Sequence, residues 1–377
     1  MRDGLLSLFL CGDVMLGRGI DQILAHPGSP ELREQIVRDA RTYVRLAEEV
    51  HGHIPRPVPP AWPWGDVPAV LDEAAADARI VNLETSVTRS ADFAPGKAVC
   101  YRMNPANLPC LEVVRPDVCV LANNHVLDFG VRGLTETLEV LAGAGLRTAG
   151  AGADLAAARR PVIVPVDDDH RVVVLALGAA SSGIPPHWAA TQRRPGVRLL
   201  PALSPAAADD VAVQVRQLRR PGDVVIASVH WGSNWGYAVP DEQIRFAHRL
   251  IEGGVDVVHG HSSHHPRPIE VYRDRLVLYG CGDFVDDYEG IRGYEDYRPE
   301  LRIAYLAALA PDSGRLVELR MTVLRAHRMR LERARQEDAA WLRAELDGRR
   351  GTPVGLVADD GLVVRPTPRR RHWAGPD

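Results

Sequence analysis

Five apolar, β-rich runs of this chain each end on residues that bind metal ions or move protons: Cys11-Gly12-Asp13, Asn82-Leu83-Glu84, Asn123-Asn124-His125, Val229-His230-Trp231-Gly232 and His259-Gly260-His261-Ser262-Ser263-His264-His265. This pattern points to a layered α/β fold. Strands that carry carboxylate, amide and imidazole groups at their carboxyl ends bring those groups together at one edge of a sheet. Such a mixture of oxygen and nitrogen donors is what a hydrolytic site built on divalent cations uses.

The rest of the pattern agrees with alternating strands and helices. Strands are expected at Leu6–Val14, Ala78–Leu83, Val118–Ala122, Leu146–Ala149, Val162–Val164, Val172–Leu177, Val224–Ser228, Val255–His259, Ile269–Tyr272 and Leu276–Tyr279. Helices are expected at Glu31–Glu49, Pro68–Asp77, Gly133–Ala144, Ala206–Arg219 and Asp241–Gly253. The run Ile54 to Trp64, rich in proline and tryptophan, reads as a loop over the surface near the site, and Ser181 to Ala202 as a second wall. Two hairpin strands follow at Leu301–Leu309 and Leu316–Val323, then an Arg/Glu-laced helix from Met329 to Leu346. The expected division is a main domain over 1–325 and a C-terminal helix with a basic tail over 326–377.

With 46% hydrophobic residues in 377, the chain can bury a core without staples. A formal net charge of −4 argues against a nucleic-acid partner, and the basic Arg369-Arg370-Arg371 reads as a solvated terminus. The five scattered cysteines suggest a reducing compartment. Leu5–Leu10 is too short for a signal sequence, and no run approaches a membrane span. The expected location is therefore the cytoplasm.

Asp13, between Gly12 and Gly17, has its carboxylate exposed by the turn, or else caps a helix. Asn82 and Glu84 share one face of an extended segment, so Glu84 is placed to bridge cations while Asn82 orients substrate. Asn124 offers a neutral oxygen beside His125, an acid or base whose ring Asp128 orients. His230 is a ligand candidate. Trp231 and Trp235, with Trp62 and Trp64, are expected to line a groove. Four histidines within seven residues form the densest signal, with His261 and His264 the chosen ligands and His259 and His265 supporting them. Asp283, at a glycine-rich strand end, is placed to hydrogen-bond a ligating histidine.

Taken together, Gly12-Asp13-Val-Met-Leu-Gly17-Arg18, Asn82-Leu-Glu84, Ala122-Asn-Asn-His125-Val-Leu-Asp128-Phe-Gly130, His230-Trp-Gly232, Gly260-His261-Ser-Ser-His264 and Tyr279-Gly-Cys-Gly-Asp283-Phe284 resemble the bacterial CapA family of poly-γ-glutamate capsule-synthesis proteins, relatives of calcineurin-like metallophosphoesterases. The resemblance covers roughly Leu6 to Tyr288. It implies a four-layer α/β/β/α sandwich. It also implies a shell of Asp13, Glu84, Asn124, His230, His261 and His264 around one or two divalent ions (Mn, Zn, Mg or Fe). His125, with Asp13 and His264, would do the chemistry, and Arg18, Asn82, Asn123, Trp231 and Trp235 would hold an acidic or peptide-like substrate. Met15 stands where the phosphoesterases carry a histidine, and Asn-Leu-Glu replaces their bridging Gly-Asp-x-x-Asp, so one metal position is weakened. The leading expectation is a divalent-metal enzyme of capsule-type biosynthesis. The alternatives are a peptide Cα epimerase, a phosphoesterase, or a polymer-binding scaffold with a vestigial site.

Overall fold

The computed structural model describes residues 1, 4–357 and 361–366. Two sheets face each other. In the ten-stranded sheet, Leu6–Val14 is central, parallel to Ala78–Leu83 on one side and antiparallel to Leu301–Ala310 on the other. Val118–Val120 and Thr148–Ala149 extend it one way; Arg315–Ala326, Gly361–Val364 and Gly355–Val357 extend it the other. The seven-stranded sheet orders Leu199–Leu200, Arg171–Ala179, Asp223–His230, Val257–His261, Arg275–Leu278 and Ile269–Tyr272, with Val162–Pro165 paired to Arg171–Ala179.

Side-chain alternation explains the layering, since successive residues of a strand face opposite sides. Leu6, Leu8, Leu10 and Ile80 pack between the sheets against Val172, Val174, Val224 and Ile226. Phe9, Cys11, Val81 and Leu83 face outward under Ile20, Val44, Val67 and Leu134 from the helices Arg18–Ile23, Arg41–His51, Val67–Ala74 and Gly130–Gly143. On the far side, Val173, Leu175, Val225 and Ala227 pack under Val211, Val215, Phe246 and Leu250 of the helices Pro205–Leu218 and Asp241–Glu252. The four layers are therefore α/β/β/α. Each fully buried aliphatic side chain contributes about 1.5–3 kcal/mol, so both strand faces stabilise the stack.

Several boundaries differ from expectation. The helix expected over Glu31–Glu49 begins only at Arg41; before it, Glu31 bridges Asp39 in a loop that leaves Ile36 exposed. The helix expected from Met329 begins at Gln336, because Leu331–Arg333 pairs with Arg315–Ala326 as a strand. The expected domain boundary after 325 falls inside that same Arg315–Ala326 strand. Beyond it, Leu342, Leu346, Val354 and Leu362 join the core between the sheets. Arg369–Arg371 lie outside the described residues. Among the described residues, no helix is long and apolar enough to cross a membrane.

Candidate metal centre and its cavity

Register places the chemistry. In the first sheet Asp13 stands opposite Asn82 on one neighbour and Asp283 on another; in the second, His230 stands opposite His261. The sheets meet at this edge, where ligand atoms of Asp13, His230 and His261 all lie within 4.8 Å of one another and all three residues are buried. Close backbone approach makes this possible: Asp13 N–H donates to the Gly282 carbonyl at 3.0 Å, and a Cβ on Gly12 would lie 1.6 Å from that same oxygen.

The hydrogen bonds fix the histidine tautomers. The Cys11 carbonyl only accepts, so His259 Nε2–H donates to it at 2.8 Å and leaves Nδ1 as an acceptor. The Ser228 hydroxyl therefore donates to His259 Nδ1 at 3.0 Å and accepts from His261 Nε2–H at 2.9 Å. His261 Nδ1 is then unprotonated. On the other ring, His230 Nε2–H donates to the Asn124 side-chain oxygen at 3.0 Å, which leaves its Nδ1 unprotonated as well, with the Asn82 amide 3.5 Å away. These two unprotonated nitrogens face each other at 2.7 Å. Burial holds both imidazoles well below their ordinary pKa, and for His261 the neighbouring His230 adds to the effect, so neither ring supplies a spare proton. Lone pair against lone pair is repulsive, and a cation between them removes the conflict.

The carboxylates agree with this. Asp13 accepts from Asn82 Nδ2 at 2.7 Å and from Ser262 N–H at 3.1 Å. Ser262 makes the second bond with φ at 101°, a conformation a non-glycine residue adopts only when its surroundings enforce it. Burial pushes the Asp13 carboxyl up to about 7, with Asp283 adding to the effect. Glu84 is held well above the usual range, first by burial and then by Asp13. Its Oε1 lies 3.6 Å from His230 Nε2, and its buried Oε2 has no hydrogen-bond partner. Asp13, His230 and His261, with Glu84 and Asn124 beside them, thus fit a divalent ion.

Glu84, Asn124 and Ser262 also border a cavity of about 600 Å³. Two histidine–aspartate pairs reach it from different sheets. His125 Nδ1 lies 2.6 Å from Asp128 Oδ2, with Lys97 Nζ 3.5 Å from the other Asp128 oxygen. Burial holds the His125 imidazole well below its ordinary pKa, so it is neutral. His264 Nδ1 lies 2.9 Å from Asp283, and its Nε2 is 2.9 Å from Asn234 Nδ2. Burial opposes charge on His264, but Asp283 and Asp13 outweigh it and raise its pKa.

Comparison with known proteins assigns the family. Residues 7–288 match the bacterial capsule synthesis protein family PGA_cap. The chain belongs to that family. It is 57% identical over 366 residues to a probable polyglutamine synthesis accessory protein of Mycobacterium tuberculosis, covering 96% of each chain. It is 24% identical over 286 residues to the PGA biosynthesis protein CapA of Bacillus subtilis, covering 76% of this chain and 64% of that one. Among solved structures, a 5'-nucleotidase precursor from Thermus thermophilus superposes with a TM-score of 0.47 at 14% identity, over 85% of this chain and 54% of that one.

Within this PGA_cap chain, the residues expected at the site fall into three groups. Asp13, Glu84, Asn124, His230 and His261 converge. His264 stands apart from that cluster, with both ring nitrogens engaged by Asp283 and Asn234. His259 supports His261 through Ser228, whereas the His265 ring bonds the Pro266 carbonyl and packs among Trp235, Tyr237 and Tyr297. Of the residues expected to hold substrate, Arg18 and Trp235 line the cavity. Asn82 and Asn123 are buried and brace the strand ends, Asn123 donating to Asn82 and accepting from His125 N–H. Trp231 is a correction: following His230 in extended backbone, it points to the opposite face, where it packs on Phe246 and Tyr279 under the outer helices. Trp64 is another, buried against Phe284 with its N–H on the Cys110 carbonyl, and Trp62 bonds the Arg328 carbonyl away from the cavity. The expected wall at Ser181 is present, as Ser181 and Ser182 border the cavity. Sequence reasoning missed Lys97, Asn234, Tyr288 and Asp287, all on irregular segments that carry no periodic signal.

Proposed function

We propose that this PGA_cap protein is a divalent-metal-dependent enzyme that acts on an acidic, peptide-like chain of the polyglutamate type. The observation that carries the reading is the pair of unprotonated imidazole nitrogens of His230 and His261, 2.7 Å apart beside Asp13, next to a cavity that also holds a neutral His125. A bound divalent ion supplies Lewis-acid polarisation of an amide carbonyl. The remaining work falls to the chain's own groups. Asp128 accepts the Nδ1 proton of His125 and orients the ring, leaving His125 Nε2 free to take a proton from the attacking group. His264, whose pKa Asp283 raises, is the second proton-carrying group on the cavity wall and the source of a proton for the departing nitrogen. The identity to a relative named for polyglutamine synthesis supports the substrate class.

A second reading, inversion at a peptide Cα, is favoured by the same two pairs. A neutral base follows a strand of one sheet, and a histidine whose pKa Asp283 raises follows a strand of the other. Solvent deuterium entering the substrate at Cα without chain cleavage would select it.

The test is metal content and turnover together. Purified protein is expected to retain a divalent ion that His261→Gln and His230→Gln lose. Cleavage of a γ-glutamyl chain is expected to fall by about 10²–10⁴ in His125→Asn with the ion still bound. Protein that stays metal-free in Mn²⁺, with a melting temperature indifferent to chelator, would overturn the proposal.

A further inference from the structure

The chain contains 45 basic residues outside histidine, and only Lys97 among them is a lysine. That single ammonium borders the cavity, beside the reacting groups: its Nζ lies 3.5 Å from Asp128, and its charge acts on both Glu84 and His125. The guanidinium on the wall is already matched. Arg18 donates from Nε and Nη2 to Asp287 at 2.8 and 2.5 Å and from Nη1 to Glu34 at 3.0 Å, while its Cζ lies 3.5 Å from the Tyr43 ring centre and 4.6 Å from that of Tyr101. Three of its five N–H donors, and its charge, are thereby committed to Asp287 and Glu34. Lys97, in contrast, has one distant carboxylate and two further ammonium protons to offer.

Size and charge type explain the choice of lysine here. A guanidinium is a flat fork that locks onto a carboxylate bidentately, as Arg18 does, whereas an ammonium is a compact point charge on a flexible stem that can turn from one partner to another. Lys97 borders the cavity, with Nζ 5.5 Å from the Trp188 ring centre.

We propose that Lys97 is the specificity-determining residue of the cavity: it binds a carboxylate of the substrate next to the reacting centre and so selects a charged glutamate-type chain over its neutral glutamine-type counterpart. This rests on the peptide-like substrate class put forward above. It differs from a purely structural role, in which Lys97 would only neutralise Asp128 and hold His125 in place.

The experiment measures binding of two probes, tri-γ-glutamate and its side-chain amide analogue, to the full chain in Mn²⁺ by titration calorimetry. Wild type is compared with Lys97→Met and Lys97→Arg, with bound Mn²⁺ and the melting temperature recorded for each. The expected result is that Lys97→Met weakens the glutamate probe roughly tenfold to hundredfold, leaves the amide probe unchanged and keeps its Mn²⁺. Lys97→Arg is expected to restore part of the loss. Equal binding of the glutamate probe by wild type and Lys97→Met overturns the inference and leaves the metal-enzyme reading intact. Wild type that takes up Mn²⁺ and binds neither probe overturns the substrate class and this inference together, but not the metal centre. Protein without Mn²⁺ overturns the metal reading alone, because the probe comparison still decides Lys97.

Discussion

Two buried clusters of ionisable groups border the same cavity and differ in completeness. Around Arg18 the chain supplies everything: Asp287 and Glu34 take the guanidinium protons, Asp287 also accepts from Gly19 N–H, and Tyr43 bonds Glu34. Around Asp13 it supplies donor atoms without their counterpart: two imidazole lone pairs in opposition, a Glu84 oxygen without a partner, and carboxyls pushed up by burial. A buried charge is costly unless paired, so the first cluster is a structural joint, and the second is the place where the proposed ion would complete the set.

The sharpest way to break this contrast is to remove one carboxylate from each cluster. Asp287→Ala leaves Arg18 with half its partners in the interior and is expected to cost about 3–5 kcal/mol in urea unfolding. Above about pH 7, where the carboxyl is charged, Asp13→Asn in cation-free protein is expected to leave stability equal or higher, because it removes an uncompensated charge. A comparable loss in both variants would show that the clusters are alike.

Adding the ion probes the same difference at a smaller scale. Mn²⁺ at about a hundred times its Kd should stabilise wild type by about 2.7 kcal/mol and leave Asp13→Asn unmoved, read as a shift in melting temperature. The pH dependence is more gradual. Folded Asp13 holds its proton up to about 7, against an ordinary value of 3.8, so between those limits the native state binds more protons than the unfolded chain. Cation-free protein should therefore lose stability as pH rises from about 4 to about 7, and Mn²⁺ should flatten that slope; a slope of opposite sign would contradict the picture. The smallest effect belongs to packing away from both clusters. Trp231→Phe should lower stability by about 1–2 kcal/mol with no change in ion uptake, which would confirm on which side of the sheet that ring acts.

Those outcomes bear on what a sequence makes legible. The central strands Leu6–Val14 and Ala78–Leu83 were readable to the residue, because apolar runs that stop at glycine or a polar pair mark both the element and its working end. Asp13, His230 and His261 were readable for the same reason. Trp231 was misassigned although the information was present: once His230 faces the site, strand alternation sends its neighbour the other way. The segment Glu31–Asp39 was misread because its residues suit a helix, yet the fold uses them in a loop that delivers Glu34 to Arg18. Asp287, Asn234 and Lys97 were invisible because loop residues reach a site through tertiary path alone.

The crossing of Gly12 over Gly282 has a further consequence. A methyl group there would be a wedge between the strand that carries Asp13 and the turn that leads to Asp283. Gly12→Ala would thus spread the two carboxylates apart without altering either, and a protein so changed is expected to keep its fold and to take up less of the proposed ion. The absence of two side chains is, in that sense, as much a part of the centre as the donors themselves.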